Sequence, residues 1–358
     1  MPANTKHQDF IDLMKATGMF LIVYGHIVGD PSNLYNLLAQ PVHTKQVGVA
    51  FFVFLTGWGL ANNTRQPLRT VFNRIFPFYF YGILFSIFLS VLFLFIYSDT
   101  NASNYMPYML GVNVFFNHFP ANPTTWYIGT YLHLLLLWYF FMQGKAVTKT
   151  QLVVAFIIEN VVRSIFMALQ QDFIAYILLP NLLTVFLLGM YLQQNRQKPS
   201  SPVVFLLIVV WVGVFMFSTR VANVIGFDGA FPFRNMSADF PMSVPVESLL
   251  ISATYLVHTL LFFEIARRLP GHSIISFFAR GTLITVIIHM PLIYETSRSF
   301  YNLFASDDVA RIVFIFAIYI GTAIIAETIN RLVDIKSIGN RTWNLLEKIT
   351  STATEKTR

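Results

Sequence analysis

The sequence contains no cysteine and has few charged residues. Without cysteine the chain can form neither disulfides nor thiolate metal sites, and it has no cysteine nucleophile. Charged residues account for 11% of its 358 residues, whereas a soluble domain carries about a quarter. Apolar residues account for 55%, and 37 residues are phenylalanine. This composition predicts an all-α polytopic membrane protein, because helices satisfy every backbone hydrogen bond inside lipid.

Several patterns that mark metal and phosphate sites are also missing. The sequence has no His-x-x-x-His pair and no triplet of carboxylates, so no metal is expected. It has neither a glycine-rich phosphate loop nor a Gly-x-Ser-x-Gly turn, so no phosphate-loop or serine-hydrolase chemistry is indicated. The net charge is +7, but the cations lie in short loops between apolar runs, as they do in proteins oriented in a bilayer. We therefore expect the lipid bilayer, and not nucleic acid, as a partner.

Ten apolar segments predict about ten transmembrane helices. They cover residues 9–28, 47–61, 75–97, 126–143, 151–167, 173–192, 202–217, 246–265, 281–296 and 309–330. Lysine and arginine concentrate in alternate connections, and Arg163 counts among the few cations at outer helix ends. This asymmetry predicts cytoplasmic N- and C-termini and a location in the inner or plasma membrane. Residues 1–330 would form the transmembrane domain and 331–358 a short cytoplasmic tail, in which a helix around Trp343 would lie on the membrane surface.

Two ionisable residues, Lys15 and His26, lie on the first apolar segment. Eleven helical steps of ~100° return to within ~20° of the starting direction and rise ~16 Å. The two side chains therefore face the same way at two depths, and such groups usually face a bundle interior or a wet cavity. Alternatively, Lys15 extends to the interface and His26 caps the far side.

Further ionisable residues occur inside later segments. Each is either a functional group or a partner in a structural hydrogen bond between helices. They are His133, Glu159, His258, Glu264, His289, Glu295 and Glu327. Histidine is the strongest chemical candidate, because a neutral imidazole can accept a proton at ordinary pH.

The second segment ends in two glycines, and three arginines follow it. Gly57 and Gly59 would allow another helix to approach closely or would break the helix. Arg65, Arg69 and Arg74 come next. These cations either anchor the cytoplasmic side or bind the phosphates of a cofactor, which the planar guanidinium can contact with two hydrogen bonds.

These features together resemble the acyltransferase-3 family of membrane proteins, which transfer acyl groups to sugars and other acceptors. Lys15 and His26 match its Arg/Lys-x10-His signature, with lysine in place of the commoner arginine. The stretch Phe51–Gly57 resembles its Phe-Phe-x-x-Ser-Gly segment, with Thr56 in place of serine. The other matching stretches are Arg69 with Arg74-Ile75-Phe76-Pro77, Trp126-Tyr127-Ile128 and Ile288-His289-Met290-Pro291-Leu292.

The resemblance implies an O-acyltransferase that takes an acyl group, most often acetyl, from acyl-coenzyme A as co-substrate. The acceptor would be a hydroxyl group of a carbohydrate or lipid-linked glycan. His26 would be the general base and Lys15 a second catalytic residue. Contacts to the oxyanion or the acceptor would come from Thr56, Trp126, Tyr127 and His289. The coenzyme would be bound by Arg65, Arg69, Arg74 and Arg280.

Three alternatives stay open at the level of sequence. His26 could carry the acyl group itself as an acyl-imidazole. Ten helices with buried histidine and glutamate would also suit a proton-coupled transporter or flippase. A scaffold could keep the fold after losing the chemistry.

Overall fold

The computed structural model describes residues 9–27, 44–63, 65–97, 110–112, 125–195, 202–203, 205–210 and 243–356. No strand occurs in these ranges, and the chain is almost entirely helical there. The helices are α1 (Asp9–Ile27), α2 (Thr44–Leu60), α3 (Pro67–Tyr97), α4 (Trp126–Leu137), α5 (Lys149–Ala168), α6 (Asp172–Ile177), α7 (Leu183–Asn195), α8 (Ser243–Ala266), α9 (Ser273–Tyr301), α10 (Asp307–Leu332) and α11 (Ile335–Lys356). A π-helical turn, Trp138–Met142, continues α4, and a 3-10 turn, Leu179–Leu182, precedes α7.

Six helices in the described part of the chain are long and apolar enough to cross a membrane, namely α1, α3, α5, α8, α9 and α10. Two shorter apolar helices cover Gln46–Leu60 and Trp126–Met142. The predicted all-α membrane architecture is therefore confirmed. The count of ten spans, the cytoplasmic termini and the boundary at residue 330 stay predictions. Half of the predicted segment 202–217 lies outside the described residues.

Helix α1 lies at the centre of the bundle and packs against α2, α8, α9 and α10. Its contacts with α9 pair Asp12 with Ser276 near one end and His26 with His289 near the other. Because both partners advance together, α1 and α9 run side by side in the same direction. The stripe that carries Lys15 and His26 therefore faces the interior of the bundle.

Glycines let α2 approach its neighbours at backbone distance. A Cβ on Gly48 would collide with the carbonyl oxygen of Gly18 on α1, and one on Gly57 would collide with that of Phe186 on α7. Gly189 of α7 meets the carbonyl of Phe54 in the same way. Of the two outcomes expected for Gly57, close approach is therefore the one observed, and α2 continues unbroken to Leu60.

The segment predicted as one helix over 173–192 is broken. α6 ends at Ile177, and Pro180 lies in the 3-10 turn that follows. The break frees backbone carbonyls at membrane depth, where irregular backbone is tolerated only if the protein satisfies it. Thr130 donates to the carbonyl of Ile177 at 2.7 Å, and Asn181 donates to that of Tyr176 at 2.8 Å.

A buried ion pair beside the break supports the same backbone. Arg163 and Glu159 of α5 are 2.7 Å apart and almost completely shielded from solvent. Arg163 also donates to the carbonyl of Asn181 at 3.0 Å, and Glu159 accepts from the backbone N–H of Thr184 at the start of α7 at 3.0 Å. Arg163 thus lies near the C-terminal end of α5 and is buried; the side of the membrane that this end faces stays a prediction. Glu159 has the structural role that sequence analysis left open.

The C-terminal helix α11 packs on the first turns of α3. The ring of Trp343 lies 5.1 Å from that of Phe72, centroid to centroid, and Asn340 accepts a hydrogen bond from Arg69 at 3.3 Å. Leu345 and Ile349 are exposed among charged residues. The tail thus forms the expected helix, and it is anchored to the transmembrane bundle through its tryptophan.

Candidate active site

A cavity of about 560 Å³ runs along α1 between the helices. Its lining extends from Ile11 through Lys15 and Ile22 to His26. At ~1.5 Å per residue, the distance from position 11 to position 26 is ~22 Å, or roughly two thirds of a hydrocarbon core of ~30 Å. The cavity continues past His26 to Tyr294 of α9, whose side chain is exposed. Lys15 and His26 therefore line one continuous space at two depths.

His26 is hydrogen-bonded to a second histidine. Its Nδ1 lies 3.0 Å from Nε2 of His289, and Nδ1 of His289 lies 2.9 Å from the carbonyl oxygen of Thr285. A carbonyl can only accept, so Nδ1 of His289 carries the hydrogen. In a neutral His289 ring, Nε2 then accepts, and Nδ1 of His26 must donate. This chain leaves the lone pair of His26 on Nε2.

His289 does not line the cavity with His26. Its exposed fraction is 0%, and its ring is stacked 5.1 Å from that of His26. This position does not suit the direct contact to oxyanion or acceptor that the resemblance implied. It suits a group that orients His26, in the way that a base is oriented by a third residue in known catalytic triads.

Two cations lie in the half of the cavity toward Ile11. Lys15 interacts electrostatically with both Asp12 and Arg74, and Asp12 accepts a hydrogen bond of 2.6 Å from Ser276. Arg74 reaches the cavity over Gly59, where a Cβ would come within 2.7 Å of its guanidinium. Gly59 thus leaves room for the Arg74 guanidinium. With two cations, this half of the cavity suits an anionic group.

Aromatic residues form the wall opposite α1. Trp126 and Tyr127 of α4 line the cavity together with Tyr131 and Tyr176; their contact with an oxyanion or acceptor stays a prediction. Thr56 also lines it, but its hydroxyl donates to the carbonyl of Phe52 at 2.8 Å and interacts with the Tyr127 phenol. The hydrogen that Thr56 would offer an oxyanion is therefore already donated within α2.

The four arginines expected at the coenzyme are separated. Arg74 lines the main cavity, whereas Arg65 lines a second pocket beside it. Arg69 is bonded to Asn340 of α11. Arg280 is exposed and lies 3.4 Å from Glu327 of α10. Arg74 and Arg65 thus border the two pockets described, and Arg69 and Arg280 line neither of them.

Sequence reasoning missed Tyr131 and Tyr176 on the cavity wall. Tyr131 lies one helical turn after Tyr127, and this i, i+4 spacing was a signal that could have placed it on the same face. No such signal existed for Tyr176, because its position depends on the break after Ile177. The described histidines and carboxylates elsewhere in the spans, such as His133, His258 and Glu264, do not line this cavity.

These observations define a helical membrane protein with a histidine-containing cavity inside its bundle. A comparison with protein families gives a match over residues 8–331 to the acyltransferase-3 family, described as an acyltransferase domain. Comparisons with curated proteins and with solved structures gave no significant match. Because the family match covers most of the chain, the protein belongs to the acyltransferase-3 family and is a membrane acyltransferase.

Proposed function

We propose that this protein transfers an acetyl group from acetyl-coenzyme A to a hydroxyl group of a carbohydrate or lipid-linked glycan. The observation that carries this proposal is the cavity in which Lys15 and His26 lie at two depths. The lone pair on Nε2 of His26 supports the role of general base. The carbohydrate class of the acceptor rests on family membership.

In the proposed reaction, Nε2 of His26 takes the proton of the acceptor hydroxyl. The oxygen attacks the thioester carbonyl carbon, and the carbon–sulfur bond then breaks. The thiolate leaves and takes the proton from the His26 imidazolium, so the products are an ester and free coenzyme A. A positioned base of this kind contributes about 10²- to 10⁴-fold to the rate.

Negative charge on the thioester oxygen would be stabilised by Trp126 and Tyr127. The indole N–H of Trp126 is a donor only. The phenol of Tyr127 would have to turn its hydrogen from the Thr56 hydroxyl, whose own hydrogen goes to Phe52, toward the oxyanion. Preorganised donors of this type typically contribute 10²- to 10³-fold in kcat. Lys15 and Arg74 would hold the anionic part of the donor toward Ile11, so that its thioester reaches the level of His26.

The test uses membranes that contain the natural acceptors, incubated with labelled acetyl-coenzyme A. We expect His26→Ala to lower transfer of label to the glycan or lipid fraction at least ~100-fold. His258→Ala is the matched control, because His258 does not line the cavity, and it should retain activity. Unchanged transfer by His26→Ala would contradict the proposal.

Whether His26 carries the acyl group covalently can be tested without acceptor. An acyl-imidazole would release free coenzyme A in a burst equal to the amount of enzyme. General-base catalysis would release none until acceptor is added.

A further inference from the structure

Trp126 and Tyr176 pack against each other on the aromatic wall of the cavity. Their ring centroids are 4.9 Å apart, and their ring planes are inclined by 60°. Both residues line the cavity. Tyr176 is the second-to-last residue of α6, directly before the break that leads to α7. The support that Trp126 receives from Tyr176 therefore depends on how the backbone of this break is held.

Two side chains bind the backbone carbonyls of the break. Asn181 donates from its Nδ2 to the carbonyl of Tyr176 at 2.8 Å, and Thr130 donates to the carbonyl of Ile177 at 2.7 Å. Thr130 lies one turn after Trp126 on α4. The break is thus fixed both to the 3-10 turn that contains Asn181 and to the helix that carries Trp126.

Arg163 fixes the orientation of the Asn181 carboxamide. Its Nε donates to Oδ1 of Asn181 at 2.7 Å, and its Nη2 donates to the backbone carbonyl of the same residue at 3.0 Å. Because a guanidinium can only donate, the carboxamide oxygen must face Arg163 and the NH2 group must face the carbonyl of Tyr176. Glu159 accepts from Nη2 at 2.7 Å and so balances the buried charge.

The other two N–H groups of Arg163 also have protein acceptors. Nη1 donates to the carbonyl of Ser248 and to the hydroxyl of Ser252, each at 2.7 Å. The side chain is buried and lines neither of the two pockets described, so it has no donor left for a substrate. A charged side chain inside a membrane bundle is costly and usually serves a function. For Arg163 that function must act through the groups to which it is bonded.

We propose that Arg163 and Asn181 are positioning residues for acyl transfer. Together they hold the break so that Tyr176 supports Trp126 at the cavity wall. This inference rests on the function proposed above, in which the indole of Trp126 stabilises the oxyanion. Their effect reaches the reaction only through the position of Trp126, where a displacement of about 1 Å can cost about 100-fold in rate.

A comparison of Asn181→Ala with Ser252→Ala separates positioning from stability. Both residues are buried and bonded to Arg163, but Asn181 also bonds to the break, whereas Ser252 contacts the ion pair from α8. Both variants should lower the unfolding temperature, because each leaves a buried donor of Arg163 unpaired. Only Asn181→Ala should lower kcat, by about ten- to 100-fold. The KM for acetyl-coenzyme A should stay unchanged, because Lys15 and Arg74 lie on other helices.

The position of Trp126 can also be measured without any acyl transfer. The chain has five tryptophans, and in the fluorotryptophan-labelled protein the fluorine NMR signal of Trp126 is the one that Trp126→Phe removes. We expect Asn181→Ala to shift this signal and Ser252→Ala to leave it in place. Thr130→Val removes the bond to Ile177 but keeps the shape of the side chain, and it should shift the signal too. It serves as the second variant if Asn181→Ala does not fold.

The inference would be overturned by an unshifted Trp126 signal in the folded Asn181→Ala or Thr130→Val protein, or by an equal shift in Ser252→Ala. Equal kcat values for Asn181→Ala and Ser252→Ala would overturn it as well. If the wild-type protein transfers no acetyl group from acetyl-coenzyme A but the signals behave as expected, the proposed function fails and the positioning of Trp126 stands.

Discussion

The hydrogen bond between His26 and His289 joins two residues that are 263 positions apart in the chain. The backbone carbonyl of Thr285 sets which nitrogen of His289 carries hydrogen, and His289 in turn sets the tautomer of His26. In serine proteases a carboxylate does the corresponding work for the catalytic histidine. Here the buried imidazole of His289 and the carbonyl of Thr285 would orient His26 without placing a negative charge inside the bundle.

Substitution of His289 separates this orienting role from packing. His289→Leu keeps a side chain of similar size but removes the acceptor for the His26 N–H. We expect it to lower kcat at least ~100-fold with little change in KM, as for residues that act only through the base. His289→Gln retains an oxygen that can accept and should restore part of the activity. Equal loss in the two variants, measured with saturating acetyl-coenzyme A, would indicate a packing role.

Lys15 lies between Arg74 and His26 in the cavity, and its charge is the feature to test. Lys15→Arg keeps the cation and should stay within about tenfold of wild type in kcat/KM. Lys15→Ala removes one charge-assisted contact, worth roughly 1.5–3 kcal/mol, and should raise the KM for acetyl-coenzyme A about ten- to 100-fold. Initial rates over a range of donor concentrations decide between these outcomes. A higher activity of Lys15→Ala than of Lys15→Arg would contradict the assigned role.

Among the helices, the crossings of α2 with α1 and α7 position the two sides of the cavity. At Gly18 with Gly48, and at Gly57 with Gly189, the helices approach until backbone meets backbone. Small residues at such crossings allow close van der Waals packing, which drives helix association in lipid. Because α1 carries the two ionisable residues and α2 carries Thr56, a shift at either crossing would change the cavity.

Gly48 offers a direct test of that packing. A methyl group there would meet the Gly18 carbonyl and would lie 2.9 Å from a side-chain carbon of Ile22. We expect Gly48→Ala to destabilise the protein by about 1–3 kcal/mol, the usual cost of overpacking. Gly321→Ala is the control, because nothing lies within 4 Å of the added atom, and it should be neutral or slightly stabilising. Thermal unfolding in detergent gives both values, and equal unfolding temperatures would contradict the packing argument.

For the molecule as a whole, the tail helix α11 is attached to the bundle but does not border the cavity. We expect Trp343→Ala to increase trypsin cleavage at Arg341 and Lys348 at least ~10-fold, because local opening tracks the free energy lost on removing a packed ring. The kcat of Trp343→Ala should equal that of the wild type, because α11 does not border the cavity. Leu345→Ala, which alters an exposed residue of the same helix, should leave cleavage in detergent unchanged. Loss of kcat in Trp343→Ala would show that the tail supports the cavity.

Much of this architecture could be predicted because it depends on local periodicity. The spacing of Lys15 and His26 places both on one face of a helix whatever packs against it. Composition and the ordered motifs likewise indicated an all-helical membrane protein and its family. Helix α3 begins at Pro67, earlier than the apolar segment that predicted it, because a proline at the first position starts a helix well and polar residues can continue one beyond the lipid.

Contacts between distant segments could not be read from periodicity. Arg163 resembled a cation at a helix end, yet it is buried beside a break that depends on Pro180 and is satisfied by side chains from α5. Similarly, Arg280 resembled a coenzyme ligand, and its pairing with Glu327 follows from the packing of α9 on α10. Each of these roles depends on which neighbour lies within hydrogen-bond distance.

The sequence by itself therefore determined the all-helical architecture, the common face of Lys15 and His26 on α1 and the family, since these follow from short-range spacing and residue type. Only the tertiary structure decided that His289 lies behind His26 and that Arg65 borders a separate pocket from Arg74. The physical reason is that a side chain's chemistry depends on hydrogen-bond partners a few ångströms away, and helix packing brings those partners from anywhere in the chain.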